Sequence, residues 1–317
     1  MIYITEEQVE KNLPMDKLIG AMKEIFVDAG TGKAGFLPRS RLKFDGNVLN
    51  TMPAYISKYG LTGLKAYMGG KNGYRGVVLL FNINNYEPIA CIESNILGQR
   101  RTGALPAMLT RELHSGAESF LLIGAGFQAE AQMSAMCIAL DLTEIGVFSR
   151  TYDRAVNFAD RMKKVTGMNI KPLDSLETLR NYEIITTATT SSEPIFQRKD
   201  LGDLYHVNLI GSNIKSRREV SRDVLAESDI IIVEDYEEAM MESEEISEVK
   251  DLPSIINLKD FMAGTLIGSI SDANEAIDLI IKHKIRINTK VFPLTSANDA
   301  LLKLKRGEIP GRAVLQI

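Results

Sequence analysis

The segment Gly124-Ala125-Gly126-Phe127-Gln128-Ala129 places glycines at the first and third positions of a turn and a small residue at the sixth. That spacing suits the pyrophosphate of a dinucleotide. The first glycine allows a tight turn after a strand, the second lets phosphate approach the backbone, and Ala129 lets the following helix pack close to the strand. The N–H groups opening that helix then face the phosphates. An NAD-binding chain usually carries Asp or Glu about 20 residues further on, to hold the ribose hydroxyls. This chain reads Val147-Phe148-Ser149-Arg150-Thr151 there, with Arg154 following. A hydroxyl beside a guanidinium suits a 2′-phosphate. The expected cofactor is therefore NADP(H) in preference to NAD(H).

A second group of residues precedes this turn: Arg39, Arg41, Lys65, Arg100 and Arg101. Lys65 lies in Leu61-Thr62-Gly63-Leu64-Lys65-Ala66-Tyr67, an apolar setting in which an ammonium needs an anionic partner. The spacing predicts a helix over about 104–113, with Arg101 just ahead of its N-terminus, where anions are favoured, and Pro106 in its first turn. Together these residues outline a carboxylate pocket; the alternative is a set of ordinary solvated cations.

Other chemistries lack support. The three histidines, His114, His206 and His283, have no metal-ligand spacing, so no metal is expected. No G-x-S-x-G elbow is present for a serine hydrolase. A net charge of −4 gives no broad basic field for nucleic acid or an acidic membrane. There is no run of 18 apolar residues, and the opening MIYITEEQVEKN is too acidic for a signal peptide. Cys91 and Cys137 sit among apolar residues and read as reduced core thiols, so a cytoplasmic location is expected. Among 317 residues, 45% are hydrophobic and 25% charged, which suits two globular domains.

The elements that must position these residues change character along the chain. Thr5 and Gln8 form a capping-box pattern, and a helix follows from about Met15 to Ala29 with Leu18, Met22, Ile25 and Phe26 on one face. Residues 36–95 read mostly as strands, with a hairpin joining Val77–Phe81 to Pro88–Ile92. From Ser119 strands and helices alternate. Phe120–Ile123, Ile145–Phe148, Ile184–Thr187, Val207–Ile210 and Ile230–Val233 are mostly apolar on both faces, as in a parallel sheet covered by helices. The nine acidic residues between Glu234 and Asp251 read as a solvated helix face or loop.

The chain resembles the ornithine cyclodeaminase/mu-crystallin family, which includes archaeal alanine dehydrogenases and imine reductases. The matching stretches are Met52-Pro53-Ala54-Tyr55, Gly63-Leu64-Lys65, Arg101-Thr102-Gly103-Ala104, Leu122 to Ala129, Thr187-Ala188-Thr189 and His206 to Asn213. They follow one another in family order over roughly residues 1–265. The resemblance implies an α/β fold: a Rossmann-type doubly wound parallel sheet plus a second α+β substrate and dimerisation domain. The expected division is 1–114 for substrate and dimerisation, 115–263 for the dinucleotide, and 264–317 as an atypical segment packing on the first domain. It implies that Arg39, Lys65 and Arg101 hold a substrate carboxylate, with Lys65 the catalytic candidate. It places Thr102, Gly124, Gly126, Phe127, Gln128, Ala129, Ser149, Arg150, Arg154, Thr187, Ala188, Thr189, Gly211, Ser212 and Asn213 around the cofactor.

Two departures shape the functional expectation. Cyclodeaminases of the family carry an aspartate where this chain has Asn213, and an amide is no general base. From about Gly264 the sequence instead resembles the C-terminal end of medium-chain alcohol dehydrogenases, built there as helix, strand, helix, strand; the zinc ligands of that family have no counterparts here. The expectation is an NAD(P)-dependent oxidoreductase acting on a small 2-amino acid or cyclic 2-imino acid, as a homodimer. The alternatives are an ornithine cyclodeaminase, giving proline and ammonia, and an NADPH-binding protein with little catalysis.

Overall fold

The computed structural model describes residues 1–71, 73–211, 214–247, 255–263, 289–306, 308–309 and 312–316. Met1–Ala263 form one compact unit and Gly264–Ile317 a second.

The first unit opens with strand β1 (Ile2–Ile4) and helix α1 (Glu6–Asn12). The predicted capping box is present: the Thr5 hydroxyl accepts from the Gln8 N–H and the Gln8 side chain accepts from the Thr5 N–H. Helix α2 (Met15–Gly30) buries Leu18, Ile19 and Phe26. Strands β2 (Ala34–Phe36), β3 (Ser40–Phe44), β4 (Asn47–Ile56), β5 (Leu61–Gly70), β6 (Gly73–Asn82) and β7 (Pro88–Glu93) follow. With β1 they form a seven-stranded sheet, ordered β1-β7-β6-β5-β4-β2, with β3 on β4. The expected hairpin is the antiparallel β6–β7 pair. Strand β1, which the sequence reading missed, lies parallel to β7.

Helix α3 (Asn95–Leu113) differs from expectation. It starts nine residues earlier than the predicted 104, so Arg101 lies inside the helix, not ahead of it, and Pro106 is deep in its interior. The helix end is satisfied within the protein, because the Glu6 carboxylate accepts the N–H groups of Asn95 (2.7 Å) and Ile96 (2.8 Å). Proline at 106 removes the N–H that would bond the carbonyl four residues back, at Thr102. The Gln132 amide supplies the missing donor to that carbonyl at 2.7 Å. The proline is thus accommodated by a neighbouring helix, a tertiary compensation that local propensity does not reveal.

Strands β8 (Ser119–Ile123), β9 (Glu144–Phe148), β10 (Lys171–Leu173), β11 (Ile184–Thr187) and β12 (His206–Leu209) form a parallel sheet in the order β10-β9-β8-β11-β12. Helix α4 (Phe127–Ala139) joins β8 to β9, and α5 (Tyr152–Thr166) joins β9 to β10. Every residue of β8 is buried, as a central strand covered on both faces requires. The strand order reverses between β8 and β11, the switch point at which such sheets bind dinucleotides. The fold is therefore α/β, with a Rossmann-type sheet beside an α+β part.

Helix α6 (Arg222–Ala226) precedes β13 (Ile231–Val233), which pairs with β14 (Ile255–Asn257) in a separate two-stranded sheet and does not extend the five-stranded one. Helices α7 (Tyr236–Glu242) and α8 (Glu244–Ser247) lie between them, and α9 (Leu258–Ala263) packs on α2. In the second unit, parallel strands β15 (Thr289–Pro293) and β16 (Arg312–Gln316) flank a helix over Ala297–Lys305, around Phe292, Ala300 and Ile309. The helix expected around 275–285 lies outside the described residues. Both cysteines are free and half-buried rather than fully in the core, and burial pushes the Cys137 thiol up to about 11.

A buried polar network ties α3 to the sheet. His206 Nε2 lies 3.1 Å from both Thr110 Oγ1 and Asn208 Oδ1, and the Asn208 amide donates to the hydroxyls of Thr110 and Thr186. The His114 ring packs against His206 with centroids 5.2 Å apart. Burial lowers the His206 pKa from 6.5 to about 4, with the His114 charge adding to it. Between those values the unfolded chain binds a proton that the folded one refuses. Stability from this site is full above pH 6.5 and is lost as pH falls toward 4, by about 3 kcal/mol in all. Urea unfolding across that window should show the loss in wild type and a flatter profile in His206→Gln.

Candidate active site

The glycine turn is built as a phosphate cradle requires. Gly124 has φ +123°, and a Cβ there would lie 2.5 Å from the Ala188 carbonyl oxygen, so only glycine lets the turns after β8 and β11 touch. Gly126 caps α4 in extended backbone, with no side-chain hydrogen bond at the helix end. A Cβ at Gly126 would meet no atom within 4 Å. Its value is therefore open space at a helix N-terminus, which suits a dinucleotide pyrophosphate. Phe127 is exposed, Gln128 half-buried and Ala129 wholly buried.

The other cofactor candidates surround this turn unequally. Ser149, half-buried, and Arg150 and Arg154, exposed, follow β9. This is the neighbouring strand, whose Phe148 carbonyl accepts the Gly124 N–H at 2.8 Å. Thr102 lies on α3, its carbonyl engaged by Gln132 on α4. Ala188 touches the glycine turn, but the hydroxyls of Thr187 and Thr189 both donate to Glu219 at 2.7 Å. Those two threonines thus offer a ligand their surroundings and backbone, not free hydroxyls. Gly211 lies just past β12; Ser212 and Asn213 fall outside the described residues. Glu219 was not read from the sequence, because nothing in its local pattern separates it from a surface acid beside Arg217 and Arg218.

The structure brings together four of the five members of the basic cluster, Arg39, Arg41, Lys65 and Arg101. Lys65, on β5, reaches α3: a Cβ at Gly98 would lie 3.0 Å from its Nζ. Its ammonium also sits 4.9 Å from the Tyr67 ring centroid. Burial lowers its pKa to about 8; the charges of Arg101 and Arg39 push the same way, and Glu234 opposes them. No ion pair holds Lys65 among the described residues. Arg100 turns elsewhere, donating to the carbonyls of Glu10 and Leu13, and has a structural role.

The acidic stretch is where the structure corrects the sequence reading most. Glu242 and Glu245 are buried, and Glu238 is partly so. Arg101 Nη1 lies 2.9 Å from both oxygens of Glu234. Arg39 Nη1 bonds Glu242 at 3.1 and 3.2 Å while its Nη2 lies 3.3 Å from Glu238, and Arg41 also pairs with Glu242. The segment expected to face solvent therefore supplies counter-charges to the pocket. Helix α7 is short, but its i, i+4 spacing puts Glu238 and Glu242 on one face, toward the arginines. Burial raises the Glu238 pKa against the pull of Arg39. The pocket keeps one half-buried ammonium, Lys65, and Glu234 uses a single nitrogen of the Arg101 fork.

Pocket and cradle meet through α3 and α4. Gly103 packs against Ala131, where a Cβ would come within 2.5 Å of the Ala131 carbonyl oxygen. The Gln99 amide also donates to the Phe127 carbonyl. Arg101 is thus carried on a helix packed against the one that begins at the glycine turn, and Lys65 reaches the same helix at Gly98.

Known proteins share this architecture. The chain is 26% identical to the alanine dehydrogenase of Archaeoglobus fulgidus over 284 residues, covering 87% of this chain and 86% of that one. A probable ornithine cyclodeaminase from Bordetella pertussis superposes with a TM-score of 0.77 at 23% identity, covering 86% and 88% of the two chains. The Delta(1)-pyrroline-2-carboxylate reductase of Thermococcus litoralis, solved with NADH and L-proline, gives 0.73 at 20% identity over 90% and 99%. Residues 2–277 match the sequence profile of one family, and the chain belongs to it: the ornithine cyclodeaminase/mu-crystallin family.

Proposed function

We propose that this chain is an oxidoreductase that uses a nicotinamide dinucleotide to interconvert a small 2-amino acid, or cyclic 2-imino acid, with its oxidised partner. The observation that carries this is the half-buried Lys65 ammonium, close to the charges of Arg39 and Arg101 and reaching α3, the helix that packs against the helix of the glycine turn. The activities of the Archaeoglobus and Thermococcus relatives support the same reading. Gly124, Gly126 and the first turn of α4 would hold the pyrophosphate, and the bound nicotinamide would supply hydride exchange at the substrate Cα. Lys65 and the free side of the Arg101 fork hold the substrate carboxylate, with Arg39 beside them, and so fix the orientation of that carbon. With a pKa near 8, Lys65 Nζ can also hold or release a proton at working pH. Asn213, an amide, gives a cyclodeaminase no base at that position.

We also propose that the chain is cytoplasmic and forms a homodimer through its seven-stranded sheet, where Leu42, Phe44, Met68 and Tyr74 are exposed. Among the described residues, no helix is long and apolar enough to cross a membrane. Sedimentation equilibrium reports the dimer.

The assay is consumption of reduced cofactor with pyruvate plus ammonia, or with a cyclic 2-imino acid. Arg101→Lys loses the two-pronged grip on a carboxylate and should lower kcat/KM by about tenfold or more, equivalent to about 1.4 kcal/mol. Cofactor affinity should change much less. Near-normal kinetics in Arg101→Ala would sink the carboxylate role, and proline formed from ornithine without net cofactor change would make the chain a cyclodeaminase.

The pH dependence of kcat/KM tests Lys65. A limb is expected near pH 8. Glu234→Gln removes the carboxylate that favours charged Lys65, so the limb should move to lower pH. A limb that stays in place assigns it to another group.

The cofactor preference we propose is NADPH over NADH, from Ser149 and Arg150 at the end of β9 and the missing acid there. Arg150→Asp should reverse the preference. Wild type binding NADH as tightly as NADPH would show these residues have been misread.

A further inference from the structure

Glu219 is completely buried, and its carboxylate is surrounded by donors. One oxygen accepts the Thr189 N–H and the Thr189 hydroxyl, each at 2.7 Å. The other accepts the Thr187 hydroxyl at 2.7 Å and the Gly211 N–H at 2.8 Å. Four neutral donors from two separate turns thus converge on one side chain. An ionised carboxylate, which only accepts, matches this set; glutamine would turn an N–H toward donors. The packing is tight: a Cβ on Gly211 would lie 2.2 Å from the Thr189 carbonyl oxygen and 2.4 Å from Glu219 Oε1. Glu219 is itself anchored, since its N–H donates at 2.7 Å to Glu245, a buried acid that also accepts the Ser243 hydroxyl.

The location gives this clamp a function beyond packing. The two turns it joins follow β11 and β12, at the C-terminal edge of the parallel sheet. The turn after β11 touches Gly124 in the phosphate cradle. The strand order is β10-β9-β8-β11-β12, and the 2′-phosphate candidates follow β9. If the adenosine lies over β9 and the pyrophosphate over β8, the rest of the dinucleotide extends over β11 and β12. We propose that Glu219 is a positioning residue that sets these two turns for the nicotinamide half of the cofactor, acting through Thr187, Thr189 and Gly211. This rests on the dinucleotide reading above.

The two readings fail differently in one binding experiment. Affinities of wild type and Glu219→Gln are measured by calorimetry for NADPH, NADH and 2′,5′-ADP, which carries only the adenosine side. The expected result is at least about a tenfold loss for the dinucleotides in the variant, with 2′,5′-ADP affinity within about twofold of wild type. Unchanged dinucleotide affinity overturns the proposal. So does an equal loss for all three ligands, which would mark general structural damage. Wild type binding none of them overturns the dinucleotide reading and the clamp's function together. Should Glu219→Gln not fold, Thr189→Val, which deletes one hydroxyl donor and keeps the backbone bond, should show the same selective loss at smaller size; equal affinity for every ligand in that variant overturns the proposal.

Discussion

The close packing of α3 on α4 is the constraint from which the site follows. One helix carries Arg101, and the other begins at the glycine turn, so their separation would set the reach from the proposed carboxylate grip to the proposed cofactor site. Gly103 permits the approach, since a side chain there would collide with the Ala131 backbone. The Pro106 defect would leave the Thr102 carbonyl without a partner in a buried interface, at a cost of about 1–3 kcal/mol. Gln132 removes that cost and in doing so bonds the two helices together. A local irregularity in one helix has become a specific contact with its neighbour.

Charge is managed in the same neighbourhood by internal pairing. Several cations gathered in a half-buried pocket repel one another and lose hydration, a penalty of several kcal/mol per ion where burial is deep. Glu234, Glu238 and Glu242 offset much of this for Arg39, Arg41 and Arg101. Burial, with the charges of Arg101 and Arg39, lowers the Lys65 pKa, and Glu234 opposes them only in part. Under the proposed function, a carboxylate substrate would meet a pocket already close to electrical balance, with Lys65 the group that gains most from its arrival.

What could be read from the sequence divides along physical lines. Apolar runs located four of the five strands of the parallel sheet, missing the short β10 and wrongly adding Ile231–Val233, and among the N-terminal strands they located the β6–β7 hairpin. The glycine turn was legible because its backbone demands are local: Gly124 takes positive φ, and Gly126 leaves open space at the start of a helix. The start of α3 was not legible, since Pro106 argued against a helix and the compensating Gln132 lies on another element. The acidic segment was misread for a similar reason. Its partners, Arg39 and Arg101, are more than a hundred residues away, and composition alone cannot distinguish a solvated acid from a counter-ion. Glu219 escaped notice because its significance depends on donors from two turns that only the folded sheet brings together.

The Glu6 cap on α3 has a consequence for synthesis. The capping carboxylate and the amides it serves are separated by 89 and 90 residues, and β1 pairs only with β7. On the ribosome, residues 2–6 must wait for residues 88–96 to leave the exit tunnel before they can dock. Until then Ile2, Tyr3 and Ile4 have no strand beside them, and the helix that bears Arg101 cannot complete its first turn. Strand β1 therefore closes its edge of the sheet only after β7 has emerged, although it is made more than eighty residues earlier.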